Sequence, residues 1–364
     1  MRIAVLTNDY PPESRGGAGI IAEIQVRELL RRGHEVKVFT SAPAWTDKSL
    51  FVRLFHHLND LKANRKLVVE IVEWKPQILL THNLTGCGIG TPRMVKHHGI
   101  PWIHVLHDVQ LVDPSGRIVK GESCFVLRTL WRWKWSVMRR WTLGNPNVVV
   151  SPTEWLLKFH RKWGFFNASK SKVIGNPMPV EGRILDSRLR GNDKQVLFVG
   201  RLEHDKGFDV LLGAWKSLGP EAPRLSVVGD GKGRSRLESM KDERISILGA
   251  LPHERVLELM RSHAVLAVPS LLIENQPTVI LEGLASGCDV VASDVGGIPE
   301  TLDGAGFVVK AGDVNALASS LKIAIDDTDA VARDEREKNR GKILSRHRVE
   351  VVVAELEFVL KSNL

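Results

Sequence analysis

Short apolar runs alternate along the chain with longer segments whose apolar positions recur every three or four residues, the rhythm of strands alternating with helices. In the first half, MRIAVLT (1–7) predicts a buried strand, GIIAEIQVRELLRRG (19–33) an amphipathic helix ending at Gly33, and HEVKVFT (34–40) a second strand. A strand, a helix and a strand in succession imply a parallel sheet. QILLTHN (77–83), PWIHVLHD (101–108) and NVVVS (147–151) continue it, each followed by a helix-compatible segment. SKVIGNPMP (171–179) closes this half. The periodicity then lapses over 178–194, a charged and glycine-containing stretch that reads as a linker between a domain at 1–177 and a second at 195–345. The second half repeats the rhythm with QVLFV, RLSVV, RISILG, HAVLAVPS, CDVVAS and GFVVK as strands. NALASSLKIAI and SRHRVEVVVAELEFVL close the chain as helices, the last (346–364) able to cross back to the first domain.

Candidate chemistry concentrates where HAVLAVPS runs out, at Pro269–Gly283. Glu274 sits in a short loop, and Glu282 lies about one turn beyond Thr278 on the helix that follows. Pro277 suits the first helical position, where a missing N–H costs nothing, with Asn275 or Gln276 as cap or pre-cap. The amides of Thr278 and Val279 would then point out of the helix start, a seat for phosphate. Carboxylates accept hydrogen bonds from sugar hydroxyls, so the segment suits a ligand with both hydroxyls and a diphosphate. A glutamate pair at this spacing is common by chance, and the upstream segment VGRLEHDKG adds weight to it. There the strand QVLFV delivers Arg201 at its carboxyl end, and Lys206 follows near the next helix. In the first half, Gly16, Gly17 and Gly19 allow a ligand to approach backbone amides at a helix start. They do not form G-x-G-x-x-G, and no acidic residue follows the second strand, which argues against a dinucleotide-dependent oxidoreductase. His107 and Asp108 end one strand, and His82 and Asn83 another. A lone histidine at such a place is most often structural.

The Glu274 and Glu282 pair, the VGRLEHDKG segment and the GGIPE turn (296–300) together resemble the retaining GT-B glycosyltransferases. The likeness is to glycosyltransferase family four and its glycosyl transferases group 1 domain, over nearly the whole chain. It implies an α/β fold of two Rossmann-like domains with parallel sheets facing a central cleft. It also implies sugar transfer from a nucleoside diphosphate sugar. Arg201 and Lys206 would neutralise the leaving diphosphate, and Gly16 and Gly17 would line its other side. Asn275, Pro277, Thr278 and Val279 would bind the donor, with Glu274 on the sugar and Glu282 on the ribose. His107 would face the sugar, and the turn at Ala250 and Leu251 would border the base. No cofactor or metal is expected, and no nucleophile on the enzyme. Between the glutamates the chain reads NQPTVIL, where many relatives carry glycine near the start. The likeness further points to cell-envelope or extracellular polysaccharide or glycolipid synthesis on a lipid-linked acceptor.

Charge adds one feature. Among the 364 residues the formal net charge is +9, and residues 1–150 alone carry 21 Lys and Arg against 12 Asp and Glu. Within that half lies WRWKWSVMRRW, Trp131–Trp141. It reads ordinarily as a core helix with a solvated basic face, and alternatively as a peripheral membrane contact, since Trp with Lys and Arg settles at bilayer interfaces. Residues 43–75, with Trp45, Phe55, His56 and His57, read as a packed helix and loop, or as an acceptor-binding excursion. The three scattered cysteines, Cys87, Cys124 and Cys288, suggest neither disulfides nor zinc and fit a reducing cytoplasm. No run approaches the roughly 18 apolar residues of a membrane span, and MRIAVLTNDYPP reads as a strand entering a turn rather than as a signal peptide. A cytoplasmic protein, or one peripheral at the inner face of the membrane, is expected, with no nucleic-acid partner. Two other readings stay open: an epimerase or phosphorylase on the same fold, and a non-catalytic basic module that binds membrane or nucleic acid.

Overall fold

Two six-stranded parallel sheets, one in each half of the chain, organise the computed structural model. The structure describes residues 1–12, 16–41, 50–121, 125–178, 195–240, 242–326 and 329–364. All of the linker expected over 178–194 except Met178, together with Trp45 and Cys124, lies outside the described residues. The chain divides into two units, one of Met1–Ile118, Glu122–Pro179 and His347–Leu364, the other of Val119–Gly121 and Val180–Arg346.

In the first unit β1 (Arg2–Thr7), β2 (Glu35–Thr40), β3 (Ile78–Thr81), β4 (Trp102–Val105), β5 (Val148–Ser151) and β6 (Lys170–Val173) lie in the order β2-β1-β3-β4-β5-β6. Helices α1 (Gly17–Arg31), α2 (Leu50–Asn59), α3 (Arg65–Glu73), α4 (Thr91–His97), α5 (Phe125–Leu143) and α6 (Glu154–Lys162) connect them. On one face Ile3, Val5, Ile78, Leu80, Ile103 and Val105 meet Val26 and Leu29 of α1. The same layer takes in Val352, Val353 and Leu356 of the terminal helix α14 (Val349–Lys361), which belongs to this unit. Arg32 and His34, just past α1, each reach Glu357 of α14 at 3.1 Å, so charge pins what the apolar stripe buries. The opposite face carries a polar layer. Thr81 Oγ1 bonds His104 Nδ1 at 2.8 Å and accepts from Trp102 Nε1 at 2.8 Å.

In the second unit β7 (Gln195–Val199), β8 (Arg224–Val228), β9 (Ile245–Gly249), β10 (Val265–Val268), β11 (Asp289–Ser293) and β12 (Phe307–Val309) lie in the order β12-β11-β10-β7-β8-β9. The helices are α7 (Phe208–Ser217), α8 (Arg234–Ser239), α9 (His253–Ser262), α10 (Thr278–Ala285), α11 (Ile298–Leu302), α12 (Val314–Asp326) and α13 (Ala330–Arg346). Val196, Phe198, Val265 and Ala267 pack under Leu211, Leu212 and Trp215 of α7 and Leu317 and Leu321 of α12.

Two elements depart from the sequence reading. The segment SRHRVEVVVAELEFVL is not one helix: α13 ends at Arg346, and the extended Arg348 (ψ 139°) caps a fresh start at Val349. Most of α13 is polar and buries only Arg340, Ile343 and Leu344, so its periodicity is too weak to read. β6 is a mostly exposed edge strand, KSKV, paired with β5 alone, and it too lacks an apolar signal.

In both sheets the chain turns outward from one strand in two directions. β2 and β3 flank β1, and β8 and β10 flank β7. In open parallel sheets ligands collect at the carboxyl ends beside such a reversal, because the connecting loops part there and leave a crevice.

Candidate functional site

At the β7/β10 reversal the register is Val196 opposite Val265 and Phe198 opposite Ala267, so the loops after both strands emerge side by side. From β7 come Arg201 and, in a one-turn 3₁₀ helix His204–Lys206, the lysine. From β10 comes the loop that carries Ser270, Glu274, Asn275 and Gln276 into α10. The backbone oxygen of Asp205 ties the two loops together, accepting from the amides of Leu271 at 2.9 Å and Leu272 at 2.8 Å. The Asp205 carboxylate accepts from Arg201 Nη2 at 3.2 Å. Arg201 is half exposed, so most of its guanidinium donors still face outward.

Lys206 Nζ donates to Glu274 Oε1, which also accepts from Ser270 Oγ at 3.2 Å. A charge-assisted bond of this kind fixes both side chains without using up either one's capacity: an ammonium has three donors and a carboxylate about four acceptor sites. Two close backbone approaches hold the geometry. Gly207 follows Lys206 with φ +70°, and a Cβ there would stand 1.6 Å from the Pro269 carbonyl oxygen. Gly296 of the GGIPE turn has φ +60°, and a Cβ there would stand 1.8 Å from the Glu274 carbonyl oxygen, which also accepts from the Gly297 amide at 2.9 Å. Gly296→Ala is therefore expected to cost about 3 kcal/mol or more, through left-handed strain plus the displaced loop, and to show as a lowered Tm. A melting curve that matches the parent protein would mean the GGIPE turn does not brace Glu274.

Pro277 stands at the N-cap of α10 rather than at its first helical position, because its ψ of 122° is extended. Asn275 and Gln276, expected as cap or pre-cap, are buried in the loop just before it, Gln276 in the pre-cap position, and the proline itself gives the helix no side-chain cap. The starting amides of α10, at Thr278 and Val279, thus get no side-chain cap from the N-cap residue itself. One helical turn on, Glu282 is buried and reaches His253 Nε2, at the start of α9, across 3.4 Å. That hydrogen bond, ahead of the opposing effect of burial, holds the His253 pKa above its ordinary value. Leu251 lies half-buried in the turn between β9 and α9. The second unit therefore pairs Lys206 with Glu274, and Arg201 with the neighbouring Asp205. Sequence reasoning missed Asp205, Ser270 and His253. The signal for Asp205 was there in the charged run RLEHDK, where it falls four residues after Arg201.

The first unit gathers its own residues. Gly16 is the N-cap of α1, in extended backbone (φ −139°) with no side-chain cap, and nothing among the described residues stands within 4 Å of where a Cβ of Gly17 would be. Past the carboxyl ends of β3 and β4, His82 Nδ1 and His107 Nε2 lie 2.8 Å apart, and Asn83 Nδ2 donates to Asp108 at 3.4 Å. Burial pushes the His107 pKa down to about 4, so at neutral pH its ring is uncharged and the pair shares one proton. His82 is fully buried, and its Nε2 has no partner among the described residues. It faces a cavity of about 20 Å³, room for a single water.

Comparison with known proteins follows the same division. Residues 15–181 match the profile of Glycosyltransferase Family 4, and residues 193–327 that of Glycosyl transferases group 1. Over 366 residues the chain is 24% identical to an uncharacterized 42.6 kDa protein in the cps region of Klebsiella pneumoniae, covering 90% of this chain and 95% of that one. It is also 24% identical to the putative teichuronic acid biosynthesis glycosyltransferase TuaC of Bacillus subtilis, covering 82% of each. Among solved structures, Anabaena HepE in complex with UDP superposes over the full length of both chains with a TM-score of 0.68 at 19% identity. The same protein has been solved with UDP-glucose.

Proposed function

Because the chain belongs to the GT-B glycosyltransferases, with a family 4 domain followed by a group 1 domain, we propose that its donor is a nucleoside diphosphate sugar and that transfer retains anomeric configuration. The acceptor in this reading is a growing, lipid-linked polysaccharide or glycolipid of the cell envelope, met at the inner face of the membrane. The kinship with a cps-region protein and with TuaC supports it.

The observation that carries the donor assignment is the Lys206–Glu274 pair at the β7/β10 reversal, with Arg201 alongside. As the bond between the sugar's anomeric carbon and the diphosphate breaks, negative charge grows on the leaving phosphate. In this reading Lys206 and Arg201 neutralise it, and the starting amides of α10 take further phosphate oxygens. The acceptor oxygen bonds to the anomeric carbon on the same face, and its proton passes to the departing phosphate. No enzyme nucleophile is needed, and the fixed cations supply the charge without a metal. Glu274, held by Lys206 and Ser270, accepts from sugar hydroxyls, and Glu282, held by His253, from the ribose. Leu251 borders the base.

Thermal melting of the whole chain with UDP, GDP, ADP and their sugars tests this reading. A nucleotide present at 100 times its dissociation constant adds about 2.7 kcal/mol of stability. One base is expected to raise Tm well above the others. A panel in which no nucleotide shifts the melt would overturn the donor assignment.

A further inference from the structure

Helix α5 is amphipathic in the opposite sense to a core helix with a solvated basic face. Two of its arginines are inside. Arg132 Nε bonds Asp113 at 2.7 Å, while Arg139, fully buried, lies 5.0 Å over the Trp135 ring and donates to the Gln110 carbonyl. Outside, beside the exposed Arg128 and Lys134, stand the apolar residues Leu130, Trp131, Trp133, Met138 and Trp141, with Trp133 58% and Trp141 74% exposed. At 100° per residue they cover an arc of about 160°, with Lys134 in its middle. Helix α2 lies against the same helix, its His57 ring 6.1 Å from Trp135, and exposes Val52, Phe55 and Leu58.

Beside Trp141, helices α4 and α5 enclose a groove of about 570 Å³ lined by Arg93, Lys96, His97 and Arg140. Arg93 donates to the Trp141 carbonyl at 2.7 Å and Lys96 to the Asn145 carbonyl at 3.0 Å, which anchors both cations at the groove wall with donors to spare. No lining residue is acidic. Nor is any residue of α2, α4 or α5, although Asp and Glu number 42 in the chain.

We propose that the α2, α4 and α5 face of the first unit settles on an anionic lipid bilayer, its tryptophans at headgroup depth and a lipid phosphate in the α4–α5 groove. Indole rings favour the boundary between headgroup and acyl chain, and cations there gain from anionic headgroups. Charge complementarity selects this occupant: a surface with cations but no anions meets an anionic sheet. A nucleic acid would supply the charge but leave Leu130, Met138, Val52 and Phe55 without apolar cover. The inference stands on this surface alone and does not rest on the donor assignment.

The test is co-sedimentation of the full chain with vesicles of phosphatidylcholine, and with vesicles of equal parts phosphatidylcholine and phosphatidylglycerol. Binding is expected to the mixed vesicles and to weaken as salt rises. The double variant Trp133→Glu, Trp141→Glu, whose side chains are exposed and leave the core intact, is expected to lose at least tenfold in partitioning with an unchanged Tm. Arg93→Ala with Lys96→Ala removes two surface cations worth about 1 kcal/mol each, a loss of about 30-fold from the mixed vesicles. Absence of binding to the mixed vesicles overturns the proposal, as does binding that the tryptophan variant leaves unchanged. Self-association abolished by the tryptophan variant, without vesicle binding, would assign the face to a second copy instead. A melt with nucleotides, run on the same variants, separates this outcome from the fate of the donor site.

Discussion

Lys206→Ala is expected to lower kcat for sugar transfer by roughly 10²- to 10³-fold, about 3 to 4 kcal/mol in the barrier. The size follows from where the lysine sits. It rises from a one-turn helix between β7 and α7, pinned by the close approach of Gly207 to Pro269, and its ammonium is already paired with Glu274. Little would remain to be ordered when a diphosphate arrives, so on the proposed reading the charge would act at the moment the bond breaks rather than in ground-state binding. The loss is therefore expected mainly in kcat, with the dissociation constant of the nucleoside diphosphate sugar changing less. Glu274 keeps its bond from Ser270, so the fold should survive and Tm should change little. Steady-state kinetics with a donor chosen from the melting panel decide the matter. An unchanged kcat would remove Lys206 from the reaction, and a collapse in Tm would make it a structural residue.

Acid is expected to destabilise the first unit as the pH falls from about 6.5 towards 4. Burial holds His160 down to about 4, and His104 to about 3 by burial first and then by the charge of neighbouring histidines. His160 is fully buried against Phe165 and Phe166, and its Nε2 has no partner among the described residues. The unfolded chain takes up these protons near pH 6.5, and the folded chain does not until about 4. The stability they contribute is thus complete above 6.5 and lost as the pH falls towards 4. For His160 alone the loss is about 3 kcal/mol at roughly 1.4 kcal/mol per pH unit. Clustered histidines titrate together, so their losses do not simply add. Melting curves taken above pH 6.5 and near pH 4 should differ by about 10 °C or more. His160→Phe, which suits the aromatic surroundings, should flatten that dependence. Equal slopes in variant and parent would show that His160 is not a source of it.

Local pattern alone determined a good deal. Apolar runs such as RIAVLT, QVLFV and VLAV can only be buried parallel strands once amphipathic helices separate them, because a fully apolar strand must be covered on both faces. The same local information placed Arg201, Lys206, Glu274 and Glu282 at strand ends and helix starts. It could not reach elements whose burial is slight, such as the polar edge strand β6 and the charged helix α13, since periodicity records burial and little else.

What tertiary structure decided was partnership. That Lys206 meets Glu274, that Glu282 meets His253 and that His82 meets His107 depends on strand order, and parallel order brings together residues far apart in the chain. The orientation of α5 was settled the same way. Trp131–Trp141 interleaves tryptophan with arginine and lysine, so composition permits either face to turn inward. Arg132 and Arg139 turned in because Asp113 and the Gln110 carbonyl were there to receive them, and a buried cation persists only where such partners wait. The tryptophans outside are the complement of that choice, made by neighbours that no local reading of the helix could see.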